Sequence, residues 1–215
     1  MGSRGRFITF EGPEGGGKTT HVRTLADRLE QAGRKVVCTR EPGSTALGES
    51  IRAILCDRQP AEPLALEAEV FLFAASRAQL VQRVILPALA AGNCVVSDRF
   101  VDSTTVYQGY ARGIGVARME ALNELAMDGA VPDVTVLLDL DVEVGFARIA
   151  ARYRESGAHH DRIESEDRSF HERVRAGYLE LADRWPDRVK RVDADRPAAE
   201  VDEEIWSIVQ DVLER

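Results

Sequence analysis

The chain is short of lysine, cysteine, aromatic residues and long apolar runs, and each shortage excludes a class of protein. Only three lysines occur, Lys18, Lys35 and Lys190, against 25 arginines. None follows an asparagine, so the Asn-Lys-x-Asp motif of regulatory GTPases is missing and that branch is disfavoured. The three cysteines, Cys38, Cys56 and Cys94, are widely spaced with no Cys-x-x-Cys pattern. They make neither a disulfide framework nor a zinc site, as expected of a reduced, cytoplasmic chain. No signal-peptide segment and no run of about 18 apolar residues appears, so no membrane association is expected. Basic residues are outnumbered 28 to 36, a net charge of −8 that argues against generic binding to nucleic acid or anionic lipid. Any anionic ligand must be met by a local basic site.

What is present is the composition of a globular domain, 44% hydrophobic and 30% charged over 215 residues. One domain spanning residues 1–215 is expected. Short apolar runs alternate with helix-period segments, the pattern of βα units around a parallel sheet, hence an α/β fold. Strands are expected at about 6–11, 35–40, 93–98, 134–139 and 188–192, and their β-branched, nearly continuous apolar character predicts burial on both faces. Helices are expected at about 18–32, 47–56, 64–91 with an interruption at Pro87, 116–128, 142–154, 167–184 and 198–213. The segment 154–168 breaks the rhythm. It is rich in arginine, histidine and acid, and reads as a mobile surface excursion, a lid at about 148–168.

Gly12-Pro13-Glu14-Gly15-Gly16-Gly17-Lys18-Thr19 matches G-x-x-x-x-G-K-[ST] between a strand and a helix. In this loop backbone N–H groups and a helix N-terminus cradle phosphate, the lysine reaches the β and γ phosphates, and the threonine hydroxyl can ligate Mg²⁺. With the GTPase branch disfavoured, an ATPase or a kinase with a second, arginine-built phosphate site remains. Arg40, Arg52, Arg77, Arg99 and Arg112 follow predicted strand ends or sit on the helices and loops beyond them. Ligands of open parallel sheets bind outside the carboxyl ends of the strands, which puts Arg40 and Arg99 on the ligand side. Asp98, at the same strand tip, can hold metal-bound water or orient a cation.

Several further stretches carry a resemblance. Phe10-Glu11-Gly12-Pro13-Glu14-Gly15, Thr39-Arg40-Glu41-Pro42-Gly43, Phe73-Ala74-Ala75-Ser76-Arg77, Asp98-Arg99-Phe100 with Ser103, Tyr107-Gln108-Gly109, Pro132-Asp133, Leu138-Asp139 and Asp161-Arg162-Ile163-Glu164 occur in this order over nearly the whole chain. Together they resemble the motifs of bacterial thymidylate kinases (dTMP kinases). The resemblance implies a P-loop NTPase fold with a five-stranded parallel sheet in order 2-3-1-4-5, a homodimer, and transfer of the ATP γ-phosphate to dTMP. It departs from the family's usual Gly-Gly-Thr in Gly43-Ser44-Thr45, and the Tyr153–His160 stretch is longer than in the shortest relatives.

By the same resemblance Lys18 bridges the two phosphates, and Arg99 and Arg52 hold the acceptor phosphate. Because the P-loop carries Glu14 rather than a basic residue, the catalytic arginine is expected from the lid, Arg152 first and Arg154 second. Arg148 lies one turn back, near adenine, as does the loop after Val192-Asp193-Ala194. A guanidinium at Arg77 suits thymine O4 and not the cytosine amine. Phe73, four residues earlier on the same helical face, can stack on the ring. Thr104 and Gln108 add hydrogen bonds to the base, Tyr107 crowds the 2′ position, and Glu14 and Glu41 contact the sugar or the metal's water shell. His159, His160 and His171 fit no zinc spacing and read as solvated lid histidines, and Trp185 and Trp206 as packing residues. Two rivals stay open: a monophosphate kinase for UMP/CMP or dGMP, and a regulatory or partitioning P-loop ATPase.

Overall fold

The computed structural model describes residues 4–57, 62–156 and 162–214. Among these residues five strands, β1 (Phe7–Glu11), β2 (Val36–Arg40), β3 (Cys94–Asp98), β4 (Val134–Asp139) and β5 (Val189–Asp193), form one all-parallel sheet in the order β2-β3-β1-β4-β5. Every side chain of β1 and β4 is buried, Thr9, Glu11, Thr135 and Asp139 included, as in strands covered on both faces. Register places Phe10 opposite Asp98 and Arg40 opposite the same Asp98, so these strand ends and the loop after β1 meet at one edge. The chain reverses its winding direction at β1, where open α/β sheets bind ligands.

The helices are α1 (Lys18–Gln31), α2 (Ala46–Cys56), α3 (Leu66–Leu80), α4 (Leu86–Ala90), α5 (Val101–Thr104), α6 (Val116–Met127), α7 (Val142–Ser156), α8 (Arg168–Arg184) and α9 (Ala198–Leu213). Ile8, Phe10, Val96, Val136, Leu138 and Val192 on one face of the sheet pack against Leu25 and Leu29 of α1 and Ile205 and Val209 of α9. On the other face Phe7, Val95 and Phe100 pack with Leu80, Ile85 and Leu89, while Leu137 and Val189 meet Phe170, Val174 and Tyr178 of α8.

Two helical stretches differ from the sequence pattern. The break expected at Pro87 falls earlier: α3 passes into a π-helical turn, Val81–Ile85, and Leu86 N–H bonds Val81 O. A proline ring clashes with the carbonyl four residues back, and widening the preceding turn relieves that clash without ending the helix. The second stretch, α5 with the π-helical Thr105–Ala111, is marked by no periodicity, being rich in β-branched residues and interrupted by Gly109. Tertiary bonds supply what propensity lacks. Glu11 Oε1 accepts Phe100 N–H and Ser103 N–H at 2.8 and 3.1 Å, and Asn123 Nδ2 donates to Val101 O and Thr105 Oγ1. Arg112, expected in a loop, directly follows this stretch.

His159 and His160 lie outside the described residues. His171 is not a solvated lid residue: it is buried on α8, edge-on to Phe146 and Phe170. Trp206 is partly buried as expected, whereas Trp185, just past the end of α8, is 47% exposed beneath the Arg184 guanidinium.

The loop after β1 is pressed against α7. A methyl carbon on Gly15, whose φ is +80°, would stand 2.5 Å from Gly145 O, and one on Gly145 would stand 2.5 Å from Glu14 O. Gly145→Ala suits a helix better by about 1 kcal/mol yet forces the loop to retreat. The expected outcome is an unchanged or slightly raised Tm with kcat/KM for ATP lowered on the order of tenfold to a hundredfold, read by thermal unfolding beside steady-state kinetics.

Candidate active site

A cleft of about 1060 Å³ opens along the carboxyl ends of β1, β2 and β3, with α1 and the loop before it at one end and α7 across from it. At the loop, the first-turn N–H groups of α1 have no side-chain cap, which leaves them directed at an anion. Lys18 Nζ donates to Gly12 O at 3.0 Å and Pro13 O at 2.8 Å. Burial and the Arg99 guanidinium push its pKa down to about 8, against the pull of Glu14, Asp98 and Glu11. Thr19 Oγ1 donates to Asp98 Oδ2 at 2.6 Å, so two residues from different βα units are brought together. A hydroxyl and a carboxylate are hard oxygen donors, the set for a cation that takes its other ligands from phosphate and water. Among the described residues no cluster of three His, Cys, Asp or Glu forms a protein-only metal cage.

Arg99 is the centre of the site. Its backbone is left-handed, φ 71°, a costly conformation for a side-chain-bearing residue that is anchored by its N–H on Phe10 O at 2.9 Å. Nη2 donates to Glu14 Oε1 at 2.7 Å and to the Tyr107 hydroxyl at 3.1 Å. Nη1 donates to Gly12 O, Ser103 Oγ and the Tyr178 hydroxyl at 3.0–3.2 Å. Burial raises the cost of the Glu14 charge, but Arg99 first, then Lys18 and the Tyr107 hydroxyl, bring its pKa down to about 2. Beneath this layer Glu11, fully buried, accepts Phe100 N–H, Ser103 N–H and Oγ, and the Tyr178 hydroxyl. Burial and nearby Asp102 push its pKa up, against those donors and Arg99.

The opposite wall is built by β2 and α3. Arg77 is almost wholly buried, with Nε on Glu41 Oε2 at 2.8 Å, Nη1 on Asn123 Oδ1 at 2.7 Å, and Nη2 on Thr104 Oγ1 at 2.6 Å and Phe100 O at 3.3 Å. Those bonds engage four of the five guanidinium N–H groups, so at most one faces a ligand. Burial raises the pKa of Glu41 to about 7 despite Arg77. Its Oε1, like Thr39 Oγ1, is buried without a partner among the described residues, and both residues line the cleft. Arg52 lies at the same wall with Nη1 on Pro42 O, and Phe73 and Gln108 complete it.

Of the five arginines singled out in the sequence, Arg40, Arg52, Arg77 and Arg99 line the cleft. Arg112 does not: it turns away to Glu69 and Glu166. On α7, Arg152 borders the cleft and bonds Glu164 at 2.9 Å, whereas Arg154 is exposed and outside the cleft wall. Arg148 donates to Ala194 O at 3.0 Å, joining α7 to the loop after β5. Sequence reasoning did not assign roles to Glu11, Asn123 or Tyr178. A carboxylate closing a mostly apolar strand is a signal for the first; Asn123 and Tyr178 carry none outside the fold.

A triphosphate-type loop facing a second arginine pocket across one cleft defines a P-loop phosphotransferase with a separate acceptor site. The comparisons agree. The thymidylate kinase family model matches residues 10–205. The chain is 51% identical to the thymidylate kinase of Desulfosudis oleivorans over 91% of this chain and 92% of the relative. It is 48% identical to that of a Synechococcus species over 95% and 94%, and 42% identical to that of Bacillus anthracis over 98% and 99%. The chain belongs to the thymidylate kinase family.

The pKa of Lys18 predicts a pH dependence. In a loop of this type the lysine is the cation offered to phosphate; here that cation is present below about pH 8 and lost above it, so kcat/KM for ATP should fall along a basic limb centred near pH 8. In kcat the limb should move upward, because bound phosphate favours the charged lysine. A kcat/KM profile flat to pH 9.5 would contradict this placement of Lys18.

Proposed function

We propose that this chain transfers the γ-phosphoryl group of ATP to dTMP, giving dTDP. The observation that carries this reading is the pairing, across one cleft, of the Lys18 loop and the Arg99 bonded to it with a wall of Arg52, Arg77 and Phe73. Phosphoryl transfer between two anions is limited by alignment and charge repulsion, so converging cations do most of the catalytic work. Lys18 leaves the loop carbonyls to bridge the donor and acceptor phosphates. Arg99 and Arg52 hold the acceptor phosphate. Arg152, at the cleft-facing end of α7, enters as the closing arginine when residues 148–168 act as a lid over the donor. Arg148 and the loop at Ala194 flank adenine.

At the acceptor, Phe73 stacks on thymine, and Gln108, Thr104 and the remaining N–H of Arg77 address its polar edge. Tyr107 crowds the 2′ position. Glu41 Oε1, buried without a partner among the described residues, is an acceptor for a sugar hydroxyl. Mg²⁺ is the cation that suits Thr19 and Asp98; when bound, it neutralises charge on the phosphate oxygens.

The protein is proposed to act as a cytoplasmic homodimer. Among the described residues no helix is long and apolar enough to cross a membrane. Leu47 and Ile54 on α2, Phe71 on α3 and Leu125 on α6 are exposed, on helices that pack side by side, and a second copy would cover such a surface.

ADP release followed with and without dTMP separates this reading from a hydrolytic ATPase. Release should depend on dTMP, exceed that with dGMP or UMP, and fall about a hundredfold or more in Lys18→Ala, the loss of about 2.7–4 kcal/mol of charge stabilisation. ATP hydrolysis indifferent to dTMP would overturn it.

A further inference from the structure

One buried carboxylate at the base wall is not used by the phosphate chemistry. Glu69 lies on α3 one turn before Phe73 and two before Arg77, hence on the face that carries them, and is 2% exposed. Its Oε1 accepts from Gln108 Nε2 at 2.8 Å and from Arg112 Nε at 3.0 Å, and its Oε2 accepts from Arg162 Nη2. The two arginines balance its charge. The third partner is neutral and lines the cleft.

A glutamine facing a base is ambiguous, since its amide presents a donor or an acceptor according to which way it is turned. Here the ambiguity is removed. An ionised carboxylate only accepts, so the NH₂ side of Gln108 must face Glu69. The reverse orientation would lose the bond and set a carbonyl oxygen against carboxylate oxygens, already buried. With the NH₂ group turned to Glu69, the carbonyl oxygen lies on the other side of the amide and is the acceptor Gln108 offers the cleft it lines. Arg77, on the same wall, has only donors to offer.

We propose that Glu69 is a specificity-determining positioning residue: by fixing the amide of Gln108 it makes that side chain an acceptor, and so selects pyrimidines with an N3–H and a 4-oxo group over cytosine. Cytosine presents an acceptor at N3 and an amine at position 4, which would meet the Gln108 oxygen and Arg77 as like against like. This rests on the reading of the cleft as a dTMP site and deepens it. Glu69 acts only through Gln108. Arg162 and the Arg112–Glu166 pair also tie it to the segment between α7 and α8, so the base wall and that segment share one anchor.

The test is kcat/KM for dTMP and for dCMP, with ATP, in wild type, Glu69→Gln, Glu69→Asp, Gln108→Ala and the Glu69→Gln/Gln108→Ala double variant. In Glu69→Gln the partner can donate or accept, the Gln108 amide is released, and the dTMP/dCMP ratio should fall about tenfold. Glu69→Asp keeps the charge against Arg112 and Arg162, which protects the fold, but withdraws the carboxylate from Gln108; its ratio should fall in the same direction. In the Gln108→Ala background Glu69→Gln should leave the ratio unchanged. The proposal is overturned if both Glu69 variants lose the two activities equally, the mark of a structural role, or if Glu69→Gln shifts the ratio as strongly without Gln108. A wild-type enzyme that does not prefer dTMP to dCMP overturns instead the reading of the pocket, and this inference with it.

Discussion

Arg99 is a cation held among carboxylates and hydroxyls at the meeting point of β1, β3 and the phosphate-binding loop, and the rest of the site is arranged around keeping it there. Removing a guanidinium from water is costly unless its hydrogen-bonding positions are filled. Here Glu14, Gly12 O, Ser103, Tyr107 and Tyr178 occupy both terminal nitrogens within hydrogen-bonding distance. These groups come from three segments of the chain: Gly12 and Glu14 from the loop after β1, Ser103 and Tyr107 from the stretch after β3, and Tyr178 from α8. Satisfying one side chain therefore positions the loop after β1, the helical stretch after β3, and α8. The left-handed backbone of Arg99 is part of this arrangement, as it turns the side chain back over the loop.

The second layer explains why the first is rigid. Glu11 sits inside β1 and caps the stretch after β3 through Phe100 N–H and Ser103 N–H, while also receiving Tyr178. Below it, Arg188 clamps Asp102 with bonds of 2.6 and 2.9 Å, and Thr135 links Asp102 to Thr9. From Arg188 to the cleft the charged groups follow one another as Arg188, Asp102, Glu11 with Tyr178, Arg99 and Glu14, with cations on both sides of the Asp102 and Glu11 carboxylates. Interactions in such a water-poor stack are stronger than at the surface, and donors fixed in advance need no reorganisation when phosphate charge shifts. The same preorganisation appears at the loop, where glycine contacts with α7 leave no room for drift.

Much of this was legible in the sequence. The β-branched runs placed all five strands, and the glycine-rich motif placed Lys18 and Thr19, because both signals are local. Asp98 was found from its position at a strand tip, and it meets Thr19. What was not legible came from partners distant in sequence. The stretch 101–111 is helical because Glu11 and Asn123 supply bonds that its β-branched residues and Gly109 do not encode. Arg112 stands in sequence beyond the strand ends with Arg40, Arg52, Arg77 and Arg99, yet Glu69 turns it away from the cleft. Arg77 read as a guanidinium open to a base; in the fold four of its five N–H groups are engaged by Glu41, Asn123, Thr104 and Phe100 O. Helix periodicity says which face is buried, not which neighbour will meet it.

The proposed phosphoryl transfer depends on the fork of Arg99 and not merely on its charge. Arg99→Lys preserves the cation but cannot span Glu14 and Tyr107 on one side and Gly12 O, Ser103 and Tyr178 on the other. Measured side by side, kcat for dTMP phosphorylation should fall about a hundredfold or more, a larger loss than that in ATP binding at equilibrium. Turnover near that of the wild type would show that a point charge suffices there and would contradict the account.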